Sequence, residues 1–272
     1  MKRIYRITLK YLSFLISKFL KIFIWKFNVK MIPSLGDFSK FKYEYSYKTR
    51  RLVLRTDKNR FGKVVFDGSN LETYLCKLGK KYYTNKSSLN LEGHRSGYTG
   101  LYTILFSQLQ NKKCSIAEIG IWKNASTNMW RKYFSEATID CFEFDKKKLE
   151  LAKKQKLKKV YYHFIDVNDK KIINNQFKKL NRKFDVIIDD STHIFEHQIN
   201  IIESTINYIK KGGMLIIEDI YRFKKGHEEI KYHEKIKKVK NKFSNIFFIE
   251  TPHVNNFTAS YKSEKILLLI KK

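Results

Sequence analysis

The chain has 272 residues, with 56 Lys and Arg against 26 Asp and Glu, a formal net charge of +30. Hydrophobic residues make up 43% and aromatics 15%, enough apolar surface to offset ordering entropy, which excludes a disordered chain. Two Pro and 11 Gly exclude collagen-like and linker-rich architectures, and the length suits one large α/β domain, alone or with an ordered extension.

Residues 1–28 are apolar but interrupted by Lys10, Lys18, Lys21 and Lys26. Their uncharged runs fall short of the ~20 residues that a transmembrane helix needs, and no small-residue cleavage site follows that would mark a signal peptide. On a helical wheel Arg3, Arg6, Lys10, Ser13, Ser17 and Lys21 share one face, opposite Leu9, Leu12, Leu15, Ile16, Phe19, Ile22, Phe23 and Phe27. The segment therefore reads as a basic amphipathic helix, lying on an anionic membrane surface or packed on its own domain. The first 60 residues carry 16 basic and 3 acidic groups, so the charge is concentrated here.

Residues 29–92 are poorly patterned and read as a linker and an N-terminal cap, with one strand-like run at Arg51–Leu54. Residues 93–272 form the main domain. From Cys114 onward, apolar runs recur at Ser115–Gly120, Thr138–Phe144, Val160–Ile165, Asp185–Ile188, Met214–Ile217, Ile246–Ile249 and Ile266–Ile270. Helix-like segments separate the first six: Ala125–Phe134, Lys146–Lys156, Asp169–Leu180, His193–Lys210 and Lys224–Lys242. Such alternation predicts a Rossmann-like, doubly wound α/β fold with a seven-stranded, mostly parallel sheet. The last two runs leave no room for a helix and should form an antiparallel hairpin.

Ligands of open α/β sheets bind beyond the carboxyl ends of the strands. The first strand ends in Glu118-Ile119-Gly120, the second in Glu143-Phe144-Asp145, and Asp166 follows the third. An acid after strand two suits ribose hydroxyls, and one after strand three suits an adenine amino group, so in order they fit an adenosine-bearing ligand. Neither a G-x-G-x-x-G nor a phosphate-binding G-x-x-x-x-G-K-[ST] is present.

The segments Phe184–His193 and Gly212–Asp219 place Asp190, Glu218 and Asp219 at the ends of neighbouring strands. Crowded carboxylates resist ionising, and a hard divalent cation such as Mg²⁺ resolves the repulsion through oxygen ligands. His193 then stands ready as a general base. Two other readings remain. Asp189 or Asp190 could cap a helix while Glu218 and Asp219 merely end a strand, and His193 with His197 has the spacing of a zinc pair.

Lys81–Lys86 (KYYTNK), His94–Thr99 (HRSGYT), Ala117–Gly120, Ser126–Trp130, Asp189–His193 and Ile217–Asp219 together resemble the class I S-adenosylmethionine (SAM) dependent methyltransferases. Within them the chain is most similar to the metal-dependent sugar O-methyltransferases of the mycinamicin and macrocin type, with the cephalosporin hydroxylase-like group as a cousin. The resemblance runs from about Leu78 to the C-terminus. It implies that Gly120, Glu143 and Asp166 contact SAM, that Asp190, Glu218 and Asp219 bind Mg²⁺, and that His193 deprotonates the acceptor. Asn85 stands where that family has aspartate, Asn124-Ala125 where it has a glycine pair, Glu143 for aspartate, and Ser191-Thr192 for glycine-serine.

The expected function is O-methylation of a sugar hydroxyl on a surface glycan, of capsule or lipopolysaccharide type, or on its precursor. The expected location is the cytoplasm, peripheral on the inner membrane face. Two alternatives are an RNA methyltransferase, which the +30 charge favours, and a membrane-associated scaffold without catalysis. Against RNA, no RNA-binding module is visible and the 10 Arg are scattered. The remaining Lys, Asn, Ile, Phe and Tyr excess also fits an A/T-rich coding bias, with the lysines as a solvated coat. Cys76, Cys114 and Cys141, without C-x-x-C or zinc-ligand spacing, suit reduced thiols.

Overall fold

The computed structural model describes residues 28–30, 42–46, 51–55, 61–68, 71–90, 97–221, 227–251 and 265–272. The predicted amphipathic helix lies outside them, except that Asn28 begins strand β1, Asn28–Lys30. Strands β2, Lys42–Ser46, and β3, Arg51–Arg55, form a separate antiparallel pair. Strand β4, Phe61–Asp67, leads to helices α1, Tyr74–Lys81, and α2, Tyr98–Leu105.

The alternating region follows: β5, Ser115–Ile119; α3, Ala125–Tyr133; β6, Thr138–Glu143; α4, Lys146–Lys154; and β7, Val160–Phe164. Next come α5, Lys170–Lys179; β8, Phe184–Asp189; α6, Phe195–Thr205; and β9, Ile209–Ile217. Helix α7, Glu229–Lys235, and strands β10, Phe243–Glu250, and β11, Lys265–Lys271, complete it.

All seven predicted apolar runs are strands, and β10 and β11 pair antiparallel. The strand count differs from the expectation. Among the described residues the sheet has nine strands, in the order β1-β4-β10-β11-β9-β8-β5-β6-β7. Strand β4 extends the edge by pairing parallel to β10, and β1 pairs antiparallel to β4. Neither reads as a strand in sequence, because β4 is broken by Gly62 and Lys63 and β1 is only three residues long. The predicted helix over Lys224–Lys242 shrinks to α7. Beyond it, Lys237, Lys238, Lys240 and Lys242 crowd like charges that disfavour α-helix, and the chain makes two short 3₁₀ turns instead.

Successive strand residues alternate between two apolar layers, as a sheet covered on both faces requires. Ile116, Val186, Ile188, Ile216 and Leu268 face the layer of α1, α2 and α3, where Tyr102, Phe106 and Trp130 pack. Ala117, Ile187, Leu215, Ile217 and Leu267 face the layer of α5, α6 and α7, where Phe177, Ile202 and Tyr232 pack. No described helix is long and apolar enough to cross a membrane.

Trp130 is the hub of the first layer. Its ring lies 5.7 Å from Tyr102, 5.9 Å from Phe106 and 6.0 Å from Phe134, and its Nε1 donates to Glu118 at 2.9 Å. Trp130→Ala should therefore lower unfolding stability by about 3–5 kcal/mol. Denaturant titration checks this, and a loss below about 1 kcal/mol would mean that the layer does not depend on this ring.

Candidate active site

Strands β8 and β9 are parallel neighbours in register, with Asp189 opposite Ile217. The chain leaves both at the same edge, so Asp190 and Glu218-Asp219 emerge side by side. Glu218 N donates to Asp189 O at 2.9 Å and Asp190 N to Ile119 O at 2.8 Å, which locks the two exits to each other and to β5. The three predicted carboxylates thus come together.

Lys86 joins them from the turn after α1. Its Nζ donates to Asp190 Oδ2 at 2.5 Å and to Glu218 Oε2 at 2.5 Å, and its side chain is 1% exposed. Helix α2 adds two donors one turn apart, which share a face at this spacing. Tyr102 Oη donates to Glu218 Oε1 at 2.6 Å, and Tyr98 Oη donates to Asp219 Oδ1 at 2.8 Å. Both Glu218 oxygens are therefore engaged from the protein interior. Asp190 and Asp219 each engage one oxygen inward.

On the open side stands His193, 25% exposed, with Nε2 3.6 Å from Asp219 Oδ2 and 3.9 Å from Asp190 Oδ1. Asp190, His193 and Asp219 each offer a ligand atom, all within 4.8 Å of one another. His193 precedes α6 rather than beginning it, at φ +56°, and Asp219 has φ +53°. Left-handed backbone at non-glycine residues costs about 1–3 kcal/mol, a strain typical of functional sites. His197 lies on α6, and its Nδ1 bonds to Thr192 Oγ1 at 2.8 Å, a local contact that ties down the loop carrying His193.

The electrostatics are dominated by burial. Burial disfavours the Lys86 charge, yet the Asp190 and Glu218 charges outweigh it and raise the Lys86 pKa. Burial pushes Glu218 well above the usual carboxylate range, with Asp190 and Asp219 pushing the same way against Lys86. Asp219 is raised by burial too, opposed by His193. Burial likewise takes Asp189 up to about 6, although Ser191 donates to it through both Oγ, at 2.6 Å, and N, at 3.2 Å. One ammonium faces Asp190, Glu218, Glu118 and, further out, Asp219. The donor set is all oxygen apart from one imidazole and remains short of positive charge, which fits a hard divalent cation at the open rim.

Beside this cluster are two hollows of about 450 and 480 Å³ that share Gly120, Trp122 and Asp190. Glu143, Phe144, Ile165 and Val167 line the first, while Tyr83, Asn85 and Ser126 line the second. Gly120 has φ +89°, and a Cβ there would meet Asp190 O at 2.2 Å, so only glycine allows this crossing. Glu143 spends its carboxylate on four backbone N–H groups, those of Ile121, Trp122, Phe144 and Asp145, at 2.9–3.3 Å. It thereby braces the loop after β5 while lining the first hollow.

Two of the predicted cofactor residues do not line either hollow. Glu118 shares the strand face of Ile116 and is fully buried, accepting from Trp130 Nε1 and from Thr127 Oγ1 at 3.1 Å. Asp166 turns its Oδ1 to the N–H of Asn168 at 2.9 Å, and its neighbours Ile165 and Val167 face the first hollow in its place. Lys86, Tyr98 and Tyr102 escaped the sequence reading as site residues. The available signals were the i, i+4 spacing of the tyrosines and a lysine inside the otherwise uncharged run Tyr82–Leu91.

No protein-family model matches the chain. Demethylmacrocin O-methyltransferase of Streptomyces fradiae is 27% identical over 154 residues, 54% of this chain and 36% of that enzyme. Mycinamicin VI 2''-O-methyltransferase of Micromonospora griseorubida is 24% identical over 156 residues, again 54% of this chain and 36% of that enzyme. The match thus spans little more than a third of these curated relatives. Among solved structures, the MycE methyltransferase of mycinamycin biosynthesis, in complex with Mg, SAH and mycinamycin VI, superposes with a TM-score of 0.57. It is 18% identical and covers 74% of this chain and 55% of that one. The likeness establishes a Rossmann-like methyltransferase fold with antiparallel C-terminal strands.

Gly120→Ala combines left-handed backbone with the clash at Asp190 O. It should lower stability by about 2 kcal/mol or more in urea unfolding. An unchanged unfolding midpoint would show that this crossing is loose.

Proposed function

We propose that this chain is a SAM-dependent O-methyltransferase that uses Mg²⁺ or another hard divalent cation and acts on a sugar hydroxyl. One observation carries the reading. Carboxylates from the ends of β8 and β9 meet an imidazole at the rim of a hollow bordered by Gly120 and Glu143. The similarity to named sugar O-methyltransferases supports it. The acceptor is a surface glycan of capsule or lipopolysaccharide type, or its lipid-linked or nucleotide-linked precursor. Residues 93–272 carry most of the chemistry, and from the segment 29–92 strand β4 joins the same sheet and Lys86 reaches the carboxylates. Residues 1–28 hold the protein to an anionic inner-leaflet surface, where such precursors are assembled.

In this reading Asp190 and Asp219, backed by Glu218, hold the cation, while Gly120 and Glu143 border the SAM hollow, which Glu118 and Asp166 do not line. When bound, the cation acidifies a chelated sugar hydroxyl and SAM supplies the methyl group. His193 Nε2, on the open side beside Asp190 and Asp219, accepts the hydroxyl proton. Thr192 and His197 keep the His193 loop in place. Gly120 lets the end of β5 cross directly against the Asp190 backbone where the two hollows meet. Positioning supplies most of the rate, because transfer needs no covalent enzyme intermediate.

The purified chain, given methyl-labelled SAM, should label a glycan-precursor extract with Mg²⁺ and not with EDTA. His193→Ala should lower turnover by about 10²–10⁴-fold and leave SAM affinity near that of the parent chain. Label in total RNA rather than in the glycan pool would overturn the sugar reading and make the lysine excess the binding surface.

A further inference from the structure

Asp190, Glu218 and Asp219 offer six oxygens, and the structure divides them into two sets. Four face the interior: both oxygens of Glu218, Oδ2 of Asp190 and Oδ1 of Asp219. These are taken by Lys86, Tyr102 and Tyr98. The remaining two, Asp190 Oδ1 and Asp219 Oδ2, face His193 and the opening. Asp190 straddles the division, with an ammonium on one oxygen and the open rim on the other. Side-chain exposure follows the same line, 1% for Lys86 and Glu218 but 20% for Asp190 and 21% for Asp219.

In two-metal centres, whose ions lie about 3.5–4 Å apart, one carboxylate can bridge both ions through its two oxygens. Here the bridging position belongs to Asp190, and a lysine nitrogen fills one of the two cation places. We propose that Lys86 is a permanent, covalently tethered cation at the inner position of this centre, which limits the site to a single divalent ion at the outer one. The inference rests on the proposed function for the outer ion. Lys86 is thus a positioning residue. It holds Asp190 and Glu218 in their bound arrangement before any metal arrives, and its positive charge weakens metal affinity so that the ion can exchange.

The backbone is built to deliver that nitrogen. Lys86 O accepts from Thr99 N at 3.1 Å, which pins the turn to the start of α2 one residue past Tyr98. Asn90 Nδ2 donates to Thr84 O at 3.1 Å and closes the turn from the other side. The same short segment therefore sets the ammonium and orients the helix that carries both tyrosines.

Lys86→Met keeps the length of the side chain and removes its charge, leaving Asp190 and the buried Glu218 without their ammonium. In the full chain K86M should melt at a lower temperature than the parent without metal. It should bind Mn²⁺ about tenfold more tightly or better, because one repelling charge is gone, and Mn²⁺ should raise its melting temperature more than it raises that of the parent. Adding Glu218→Gln to K86M removes the orphaned charge, so the double variant should regain metal-free stability and return to about the parent Mn²⁺ affinity.

A K86M chain that folds only with Mn²⁺ supports the proposal as the affinity gain does. K86M that is destabilised to the same extent with and without Mn²⁺, or that binds Mn²⁺ no more tightly than a parent that does bind it, overturns the proposal alone and leaves the proposed function standing. Absence of Mn²⁺ binding in both chains overturns both.

Discussion

Carboxylates gathered at the end of a sheet repel one another, and burial makes the repulsion worse. The arrangement around Asp190, Glu218 and Asp219 persists because Lys86, Tyr98 and Tyr102 reach it from the interior and leave one side open. Much of the architecture serves that compromise. Helix α2 is placed so that two hydroxyls meet two consecutive acids. The turn before it is buried although it is polar, with Thr84, Lys86, Ser87 and Asn90 all out of solvent.

The parallel sheet supplies the other half. Register between β8 and β9 brings the two acidic exits together, and β5 delivers Gly120 beneath Asp190. Left-handed backbone recurs around the site, at Tyr83, Trp122, Asn124, His193 and Asp219 as well as at Gly120, and also in outlying turns at Lys156, Lys159 and Asn181. Asn124 adopts this backbone at φ +63° without the freedom of glycine. It pays for the conformation with hydrogen bonds from its Nδ2 to Gln155 Oε1 and Tyr162 Oη, each at 2.9 Å.

The sheet and its acids were legible because they rest on short-range rules. Apolar runs such as Met214–Ile217 announce buried strands, and carboxylates that follow them must lie at the binding edge. Strand β4 was not legible, since pairing beside β10 depends on a partner about 180 residues away rather than on local pattern. Lys86 was hidden for a related reason. A lysine in a polar turn reads as solvent-exposed by default, and only tertiary structure reveals that Asp190 and Glu218 draw it inside. Glu118 was misjudged by parity, because its strand position turns it toward Trp130 instead of the hollow. Helix starts were legible where Asp145 and Asp169 cap α4 and α5, whereas α1, capped by Thr73, lies in the stretch that reads as unpatterned.

If the open side of the carboxylate cluster holds one divalent cation, titration of the full chain with Mn²⁺, followed by electron paramagnetic resonance of the free ion, should show it. One Mn²⁺ should bind per chain, be displaced by Mg²⁺, and be lost when Asp190 and Asp219 are both replaced by Asn. Binding that survives that double replacement, or no bound Mn²⁺ at all, would contradict that reading.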